Sequence, residues 1–275
     1  MNVLAITWDP PIYLFGLVRL YSLMFVISFV LGYQIMKHIF KHENIKIEVL
    51  DKLLMYVVFA TILGARLGHV FFYDWAYFSQ HPEEILLPFK FRPEFRFTGF
   101  AGLASHGAAI GIIASLWYFS KKVLKKPLLY ILDRVGITVA LAGLFIRMGN
   151  LINSEIIGKP TGTDYGFVYV KLQEDFARHP TQLYEGLGYL AVFALLFYMY
   201  WKTKAAEKTG LLFGTFFALL WSVRFVVEFF KEAQVENRSE WALNTGQWLS
   251  IPLILVGVYF IINAINRKDK RPNLN

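Results

Sequence analysis

The segment Arg147-Met148-Gly149-Asn150-Leu151-Ile152-Asn153-Ser154-Glu155, closing at Gly158, sets an arginine, two amides, a hydroxyl, a carboxylate and two glycines at the end of an apolar stretch. If the helix continues through it, Arg147, Asn150 and Ser154 share one face, with Asn153 and Glu155 beside it. A guanidinium grips a phosphate with two parallel hydrogen bonds, and neighbouring amides can orient the rest of a polar head group. A polar helix end at a membrane interface accounts for one or two of these residues but poorly for the whole set, so the cluster reads as a site for an anionic ligand.

Three further groups could share in such chemistry. Arg224 is followed at i+4 by Glu228 on the same helix face, which reads either as an ion pair within the helix or as a carboxylate holding a guanidinium toward a ligand. His106, in Ser105-His106-Gly107-Ala108-Ala109-Ile110-Gly111, is flanked by small residues. Its ordinary pKa near 6.5 suits proton transfer at neutral pH, while Gly107 and Gly111 could equally be a helix-packing seam. His179 stands before Pro180, in a run ending at Tyr184-Glu185 that could be mostly helix capping. Three other arginines have blander accounts. Arg19 and Arg134 can snorkel or pair locally, the latter with Asp133, and Arg66 sits among small residues that suit a packing seam or a polar interior.

These residues must be positioned by elements of an unusually apolar chain. Its 275 residues are 56% hydrophobic and 17% aromatic, and its mean hydropathy is +0.44. A soluble domain is less apolar and more charged, so a soluble enzyme or a disordered chain is a poor reading. Seven stretches approach the roughly 20 residues that a membrane span needs: 12–36, 53–74, 101–119, 128–147, 183–201, 211–230 and 248–265. The first lacks a basic leader and a small-residue cleavage motif, so it is expected to stay in the membrane. Together they predict an all-α integral membrane protein, one polytopic domain over 1–275. Outside loops lie near 75–100, 148–182 and 231–247, and a small extracytoplasmic cap includes a strand pair around Phe167–Val170.

Charge placement gives the orientation. Of the 28 basic residues, fifteen fall between spans one and two, three and four, and five and six, or in the C-terminal tail. Eight (Lys90, Arg92, Arg96, Lys159, Lys171, Arg178, Lys231 and Arg238) fall in the opposite loops among acids. The excess predicts an N-terminus outside and a C-terminus in the cytoplasm, which an odd number of spans satisfies. The formal net charge of +8 is thus mainly a topology signal, and no nucleic acid partner is expected. With no cysteine in the chain, disulfides, thiolate metal sites and an enzyme thiol nucleophile are excluded. Phosphate-binding loops, nucleophile elbows and zinc-hydrolase helices are absent from the sequence, so a site must be assembled from several spans.

Taken together, the runs resemble one family, the bacterial prolipoprotein diacylglyceryl transferases. The family signature, G-R-x-G-N-F-I-N-G-E-x-x-G, is similar to I-R-M-G-N-L-I-N-S-E-I-I-G from Ile146 to Gly158. In the same order along the chain stand Y-S-L-M at Tyr21, A-R-L-G-H-V-F-F-Y at Ala65–Tyr73, the His106-Gly107 pair, R-H-P-T-Q-L-Y-E at Arg178–Glu185, R-F-V-V-E-F-F at Arg224–Phe230 and G-Q-W-L-S-I-P at Gly246–Pro252. Ile146 and Ser154 replace glycines, Leu151 a phenylalanine and Ala108 a glycine, which touches packing more than hydrogen bonding.

The resemblance implies a multi-pass enzyme of the bacterial plasma (inner) membrane. It would move the diacylglyceryl group of phosphatidylglycerol onto the lipobox cysteine of a prolipoprotein signal peptide, forming a thioether and releasing glycerol phosphate, without cofactor or metal. For such a reaction the residues themselves offer His106 as base and give Arg147 and Arg224, which would hold the phosphate, catalytic roles. Arg147, Tyr21, Asn150, Asn153, Glu155, Gly158, Glu228 and His179 would bind substrate. The residues themselves also allow an anion transporter or a lipid-binding scaffold.

Overall fold

The computed structural model describes residues 5–87, 89–91, 94–97, 102–232 and 243–267. It begins with strand β1 (Ala5–Trp8) and a hairpin of β2 (Tyr13–Leu14) and β3 (Val18–Arg19). Helices α1 (Leu20–His42) and α2 (Ile47–Phe72) follow, then the short α3 (Trp75–Phe78), the hairpin β4 (Phe89–Lys90) and β5 (Arg96–Phe97), and α4 (Ser105–Phe119). After α5 (Leu128–Ile152) come β6 (Gly166–Tyr169), α6 (Thr181–Lys202), α7 (Leu211–Val227) and α8 (Thr245–Asn266).

The helices α1, α2, α5, α6 and α8 are each long and apolar enough to cross a membrane, and α7 is a shorter apolar helix. Within the expected span 101–119 stands the 15-residue α4, which a π turn over Ser120–Leu124 prolongs. The expected start of the first span at Ile12 is corrected: Ile12–Arg19 leaves the helix to form the β2–β3 hairpin, and α1 begins at Leu20. The apolar run did not distinguish the two, because its residues suit either lipid or a hairpin surface and the positive φ of Phe15 and Gly16 decides for a turn. Arg19 therefore closes a strand, exposed, rather than lying inside a span. Of the topology charges, Arg92, Arg238, Lys268, Lys270 and Arg271 lie outside the described residues, as does most of the expected 231–247 loop.

The chain divides into two compact units, one of residues 37–131 and the other of 1–36 with 132–275. In the first, α2 and α4 cross closely because glycine faces glycine. A Cβ on Gly107 would fall 2.2 Å from the Gly64 carbonyl oxygen, and one on Gly111 2.7 Å from that of Ala60. The small residues after His106 are thus a packing seam. Arg66, buried on α2, donates from Nε to the Ile85 carbonyl (2.7 Å) and from Nη2 to the Glu84 carbonyl (2.6 Å), with its guanidinium over the Phe78 ring. It holds the loop after α3. The Glu84 carboxylate accepts the Phe91 amide and the Tyr77 hydroxyl, and those bonds hold its pKa below the usual carboxylate range.

In the second unit the expected strand near Phe167–Val170 is β6, whose partner is the N-terminal β1, in parallel. Trp8 donates from its indole to the Leu151 carbonyl at the end of α5 (2.9 Å). Leu151, Phe167 and Tyr169 form a buried core above the helix ends. Burial pushes the Tyr169 phenol up to about 12, and its hydroxyl bonds Gln182. On the helices below, Gly214 and Gly257 let α7 and α8 approach to backbone contact.

Arg134 and Asp133 form the expected local pair at 3.7 Å, both buried. Asp133 also does something that sequence proximity did not suggest. Its carboxylate accepts the amides of Gly210 (2.7 Å) and Phe213 (2.8 Å), capping the N-terminus of α7 from a neighbouring helix. Asp133→Ala orphans those amides and leaves Arg134 without this carboxylate, so we expect it to cost about 2–4 kcal/mol. The thermal midpoint of the full chain in detergent measures this, and Asp133→Asn is expected to recover part of the loss.

Candidate active site

Arg147 lies near the end of α5, five residues before the helix stops, and its side chain is 11% exposed. It donates from Nη1 to Asn150 Oδ1 (3.1 Å) and from Nη2 to Glu185 Oε1 (2.9 Å). Glu185, fully buried in the first turns of α6, accepts the Tyr189 hydroxyl on the same oxygen and faces Lys231 Nζ with the other (2.8 Å). Lys231 is in turn 3.2 Å from Glu228. One chain of alternating charge therefore runs from Arg147 through Glu185 and Lys231 to Glu228. The Tyr189 side chain also meets the Arg147 guanidinium, whose five N–H groups still outnumber these three partners among the described residues.

The helices approach closely enough for this because small residues stand at the contacts. Gly186 on α6 faces the Arg147 stem, and Gly143 on α5 yields to the Tyr189 ring, where a Cβ would lie 2.6 Å from it. Lys231 reaches Glu185 because segment 157–159 pairs with 230–232. The Lys159 amide bonds the Phe230 carbonyl and the Glu232 amide bonds the Ile157 carbonyl. Gly158 sits in this crossing against the backbone of His179, where a Cβ would fall 2.3 Å from the carbonyl oxygen. Close approach of two backbones is what requires glycine there.

The polar segment itself does not continue as helix. α5 ends at Ile152, and Ser154 (φ 55°) and Ile156 (φ 56°) are left-handed, so the expected helical face Arg147–Asn150–Ser154 is corrected to Arg147–Asn150 alone. The turn brings Glu155 back under the helix end, where its carboxylate accepts the side-chain amides of Asn153 (3.0 Å) and Asn150 (3.3 Å). Asn153 is buried, and its Oδ1 has no partner among the described residues. Tyr21, two residues into α1, packs on Gly149, faces Asn150 and sits in the fields of Glu155 and Arg147.

The run before α6 turns out to be scaffolding for that loop. Gln182 donates to the Glu155 carbonyl (2.7 Å) and Thr181 to the Ile156 carbonyl (3.1 Å). Arg178 is buried, paired with both oxygens of Glu174 and with Glu232, and bonded to the Gly158 carbonyl. The Glu174 bonds, foremost, raise its pKa further. His179 places Nδ1 3.2 Å from the Tyr184 hydroxyl and its ring against Phe230.

Arg224 and Glu228 do not form the pair that their i+4 spacing suggests. Among the described residues Glu228 is 3.2 Å from Lys231 instead, while the Arg224 guanidinium lies over the Trp221 ring at 5.6 Å. The physical reason is that α7 stops at Val227, so the turn after it swings Lys231 back across the helix end, where Glu228 meets it. Arg224 nonetheless bears on the cluster electrostatically, since Tyr189 lies in the fields of both Arg147 and Arg224. Gly246 in α8 is pressed against the Glu228 carboxylate, and Asn244 bonds the Glu228 carbonyl while forming a capping box with Gln247.

Nothing in the sequence sets Lys231 apart from the other loop charges, and the central role of Glu185 is equally hidden there. A carboxylate in the first turns of an apolar helix was the available signal for Glu185. His106 belongs to the 37–131 unit, exposed in the first turn of α4, with no hydrogen-bond partner among the described residues.

The polar segment, Arg224 and the two glutamates thus converge on one set of helix ends, and comparison with known proteins bears on what they serve. A sequence model of the family described as prolipoprotein diacylglyceryl transferase matches residues 12–263. The chain belongs to that family. Among relatives named phosphatidylglycerol–prolipoprotein diacylglyceryl transferase, it is 38% identical to that of Bacteroides fragilis over 265 residues, covering 94% of this chain and 95% of the relative. The Porphyromonas gingivalis protein is 40% identical, with 94% and 95% covered, and that of Tolumonas auensis 38%, with 92% and 93% covered.

As a member of the prolipoprotein diacylglyceryl transferases, the chain departs from the family signature at Ser154, where glycine is usual. The left-handed backbone there explains the family's glycine, since any Cβ is strained at that φ. Ser154→Gly is accordingly expected to raise stability, by about 1 kcal/mol or less once the freer unfolded chain is counted. A thermal midpoint that falls would mean the serine hydroxyl contributes more than the strain costs.

Proposed function

We propose that this chain transfers the diacylglyceryl group of phosphatidylglycerol to the thiol of the lipobox cysteine in prolipoproteins, the first step of lipoprotein maturation. The reading places it in the bacterial plasma (inner) membrane with seven spans, α4 and α7 joining the five longer helices, the N-terminal side outside and the C-terminal side cytoplasmic. Family membership supports the activity, and the unequal distribution of lysine and arginine supports the orientation. The observation that carries the reading is a buried arginine, held by Asn150 and Glu185, that keeps donors unused, with a second arginine whose charge also acts on Tyr189.

In the proposed reaction the peptide thiol loses its proton to a base, and sulfur attacks the glycerol carbon bonded to the phosphate oxygen. A carbon–sulfur bond forms, the carbon–oxygen bond breaks, and glycerol phosphate leaves with the bonding pair. A thiol with pKa near 8.5 is mostly protonated at neutrality, so a base is useful, and His106 takes that role with an imidazole that nothing described occupies. Arg147 and Arg224 hold the phosphate and stabilise the charge that grows on it; fixed donors in a dry site act more strongly than in water. Tyr21, Asn150, Asn153 and Glu155 orient the head group, Gly158 and His179 line it, and Glu228 acts through Lys231. The enzyme has no cysteine, and the reactive sulfur comes with the substrate.

The test is stoichiometric. Purified protein with phosphatidylglycerol and a lipobox peptide should release one glycerol phosphate per thiol consumed. Head-group release without thiol loss would mean a hydrolase, and solute flux into liposomes without either would mean a transporter. His106→Asn should abolish transfer while leaving phosphatidylglycerol binding nearly intact; wild-type turnover in that variant would eliminate the base assignment.

A further inference from the structure

The β2–β3 hairpin is built from residues that water does not favour and that the rest of its unit leaves open. Phe15 and Leu17 at its tip are 89% and 86% exposed, and Tyr13, Leu14 and Val18 along its arms are exposed as well. The backbone of the tip adds a second observation. The turn closed by the Leu17 amide on the Leu14 carbonyl has positive φ at both central residues, Phe15 (51°) and Gly16 (71°). Such a turn favours asparagine followed by glycine. A bulky aromatic in the first position is strained, and within the described chain it gains no burial in return.

The hairpin is also placed at the end of a span. The Leu20 amide bonds the Ile12 carbonyl, so the hairpin closes directly onto the first residue of α1, with Arg19 exposed at its base. α1 itself presents Val26 and Val30, both exposed, on a face that suits lipid. A two-stranded ribbon has free backbone edges, so its main chain must stay at the polar interface, and only its side chains can descend.

We propose that the tip of this hairpin inserts into the bilayer. Phe15 and Leu17 enter the acyl region, Tyr13 lies at the interface, and Arg19 sits at the depth of the anionic phosphates. The partner is the phospholipid surface. Arg19 supplies the charge complement, and the apolar arms continue into a membrane helix. The inference rests on the multi-pass reading of the chain and not on the transfer reaction.

Because the chain has no cysteine, Phe15→Cys gives a single labelling position in the full-length protein. With an environment-sensitive fluorophore there, and the protein reconstituted in phosphatidylglycerol–phosphatidylcholine vesicles, quenching by nitroxide-labelled phospholipid should match that of a label at Val30→Cys. Quenching by aqueous iodide should be several-fold weaker than for a label at Thr163→Cys, in an exposed loop. Iodide quenching equal to that at Thr163 would overturn the inference. So would protection that arises only when a lipobox peptide is added, which would mark a peptide surface, or only at high protein-to-lipid ratio, which would mark contact between copies. None of these readings needs catalytic turnover, so a failed transfer reaction and a failed insertion are told apart.

Discussion

Arg147→Lys will leave the protein folded and cost about a hundredfold or more in transfer rate. The native guanidinium divides its donors between Asn150 and Glu185 on the protein side and keeps others unpaired. That fork geometry lets one side chain be held rigidly and still offer parallel hydrogen bonds to a phosphate. An ammonium preserves the charge and the ion pair with Glu185, but it is a point donor that cannot reach both partners and the ligand together. The loss should therefore appear in turnover by purified protein in detergent, with the thermal midpoint little changed. A lysine variant that turns over like the native enzyme would mean that Arg147 serves only to balance Glu185.

Glu185→Gln is expected to have the second large effect, on stability and activity together. Glu185 is fully buried and is the counterion shared by Arg147 and Lys231. Neutralising it leaves two cations near one another with less compensation, which for a broken buried pair costs about 3–5 kcal/mol. Activity should fall as well, because Arg147 loses the contact that aims it. Combining Glu185→Gln with Lys231→Gln restores the balance of charge, so the double variant should be more stable than the single one while remaining impaired in transfer. If the single variant melts like the native protein, the alternating chain of charge is not holding the helix ends together.

How much of this could be read from the sequence depended on whether a residue's partners are near it in the chain. Helix-forming apolar runs are local, and most helices lie where hydropathy places them. Their ends differ where polar first turns are helical, as at Ile47, or where an apolar stretch turns instead, as at Phe15-Gly16. The Arg134–Asp133 pair and the glycine seam after His106 are short-range patterns and were legible. Glu185 bridging Arg147 and Lys231 was not, since it joins α5, the start of α6 and the turn after α7, and no local rule ranks such partners. The i+4 spacing of Arg224 and Glu228 favours a pair only while the helix continues, and here the turn after Val227 gives Glu228 a closer cation. Likewise the residue types of Arg147–Gly158 pointed to an anion site, but the left-handed turns that bring Glu155 under Asn150 and Asn153 are set by bonds from Thr181 and Gln182.

Mass analysis of a lipobox peptide is the most direct test of the proposed reaction. The full-length protein is incubated with that peptide and with phosphatidylglycerol of defined acyl chains. The expected product is a peptide heavier by one diacylglyceryl group, attached at the cysteine through a thioether that resists mild base, with no product when the cysteine is replaced by serine. A peptide recovered unmodified, while the protein remains folded and the lipid is present, would contradict the proposed reaction.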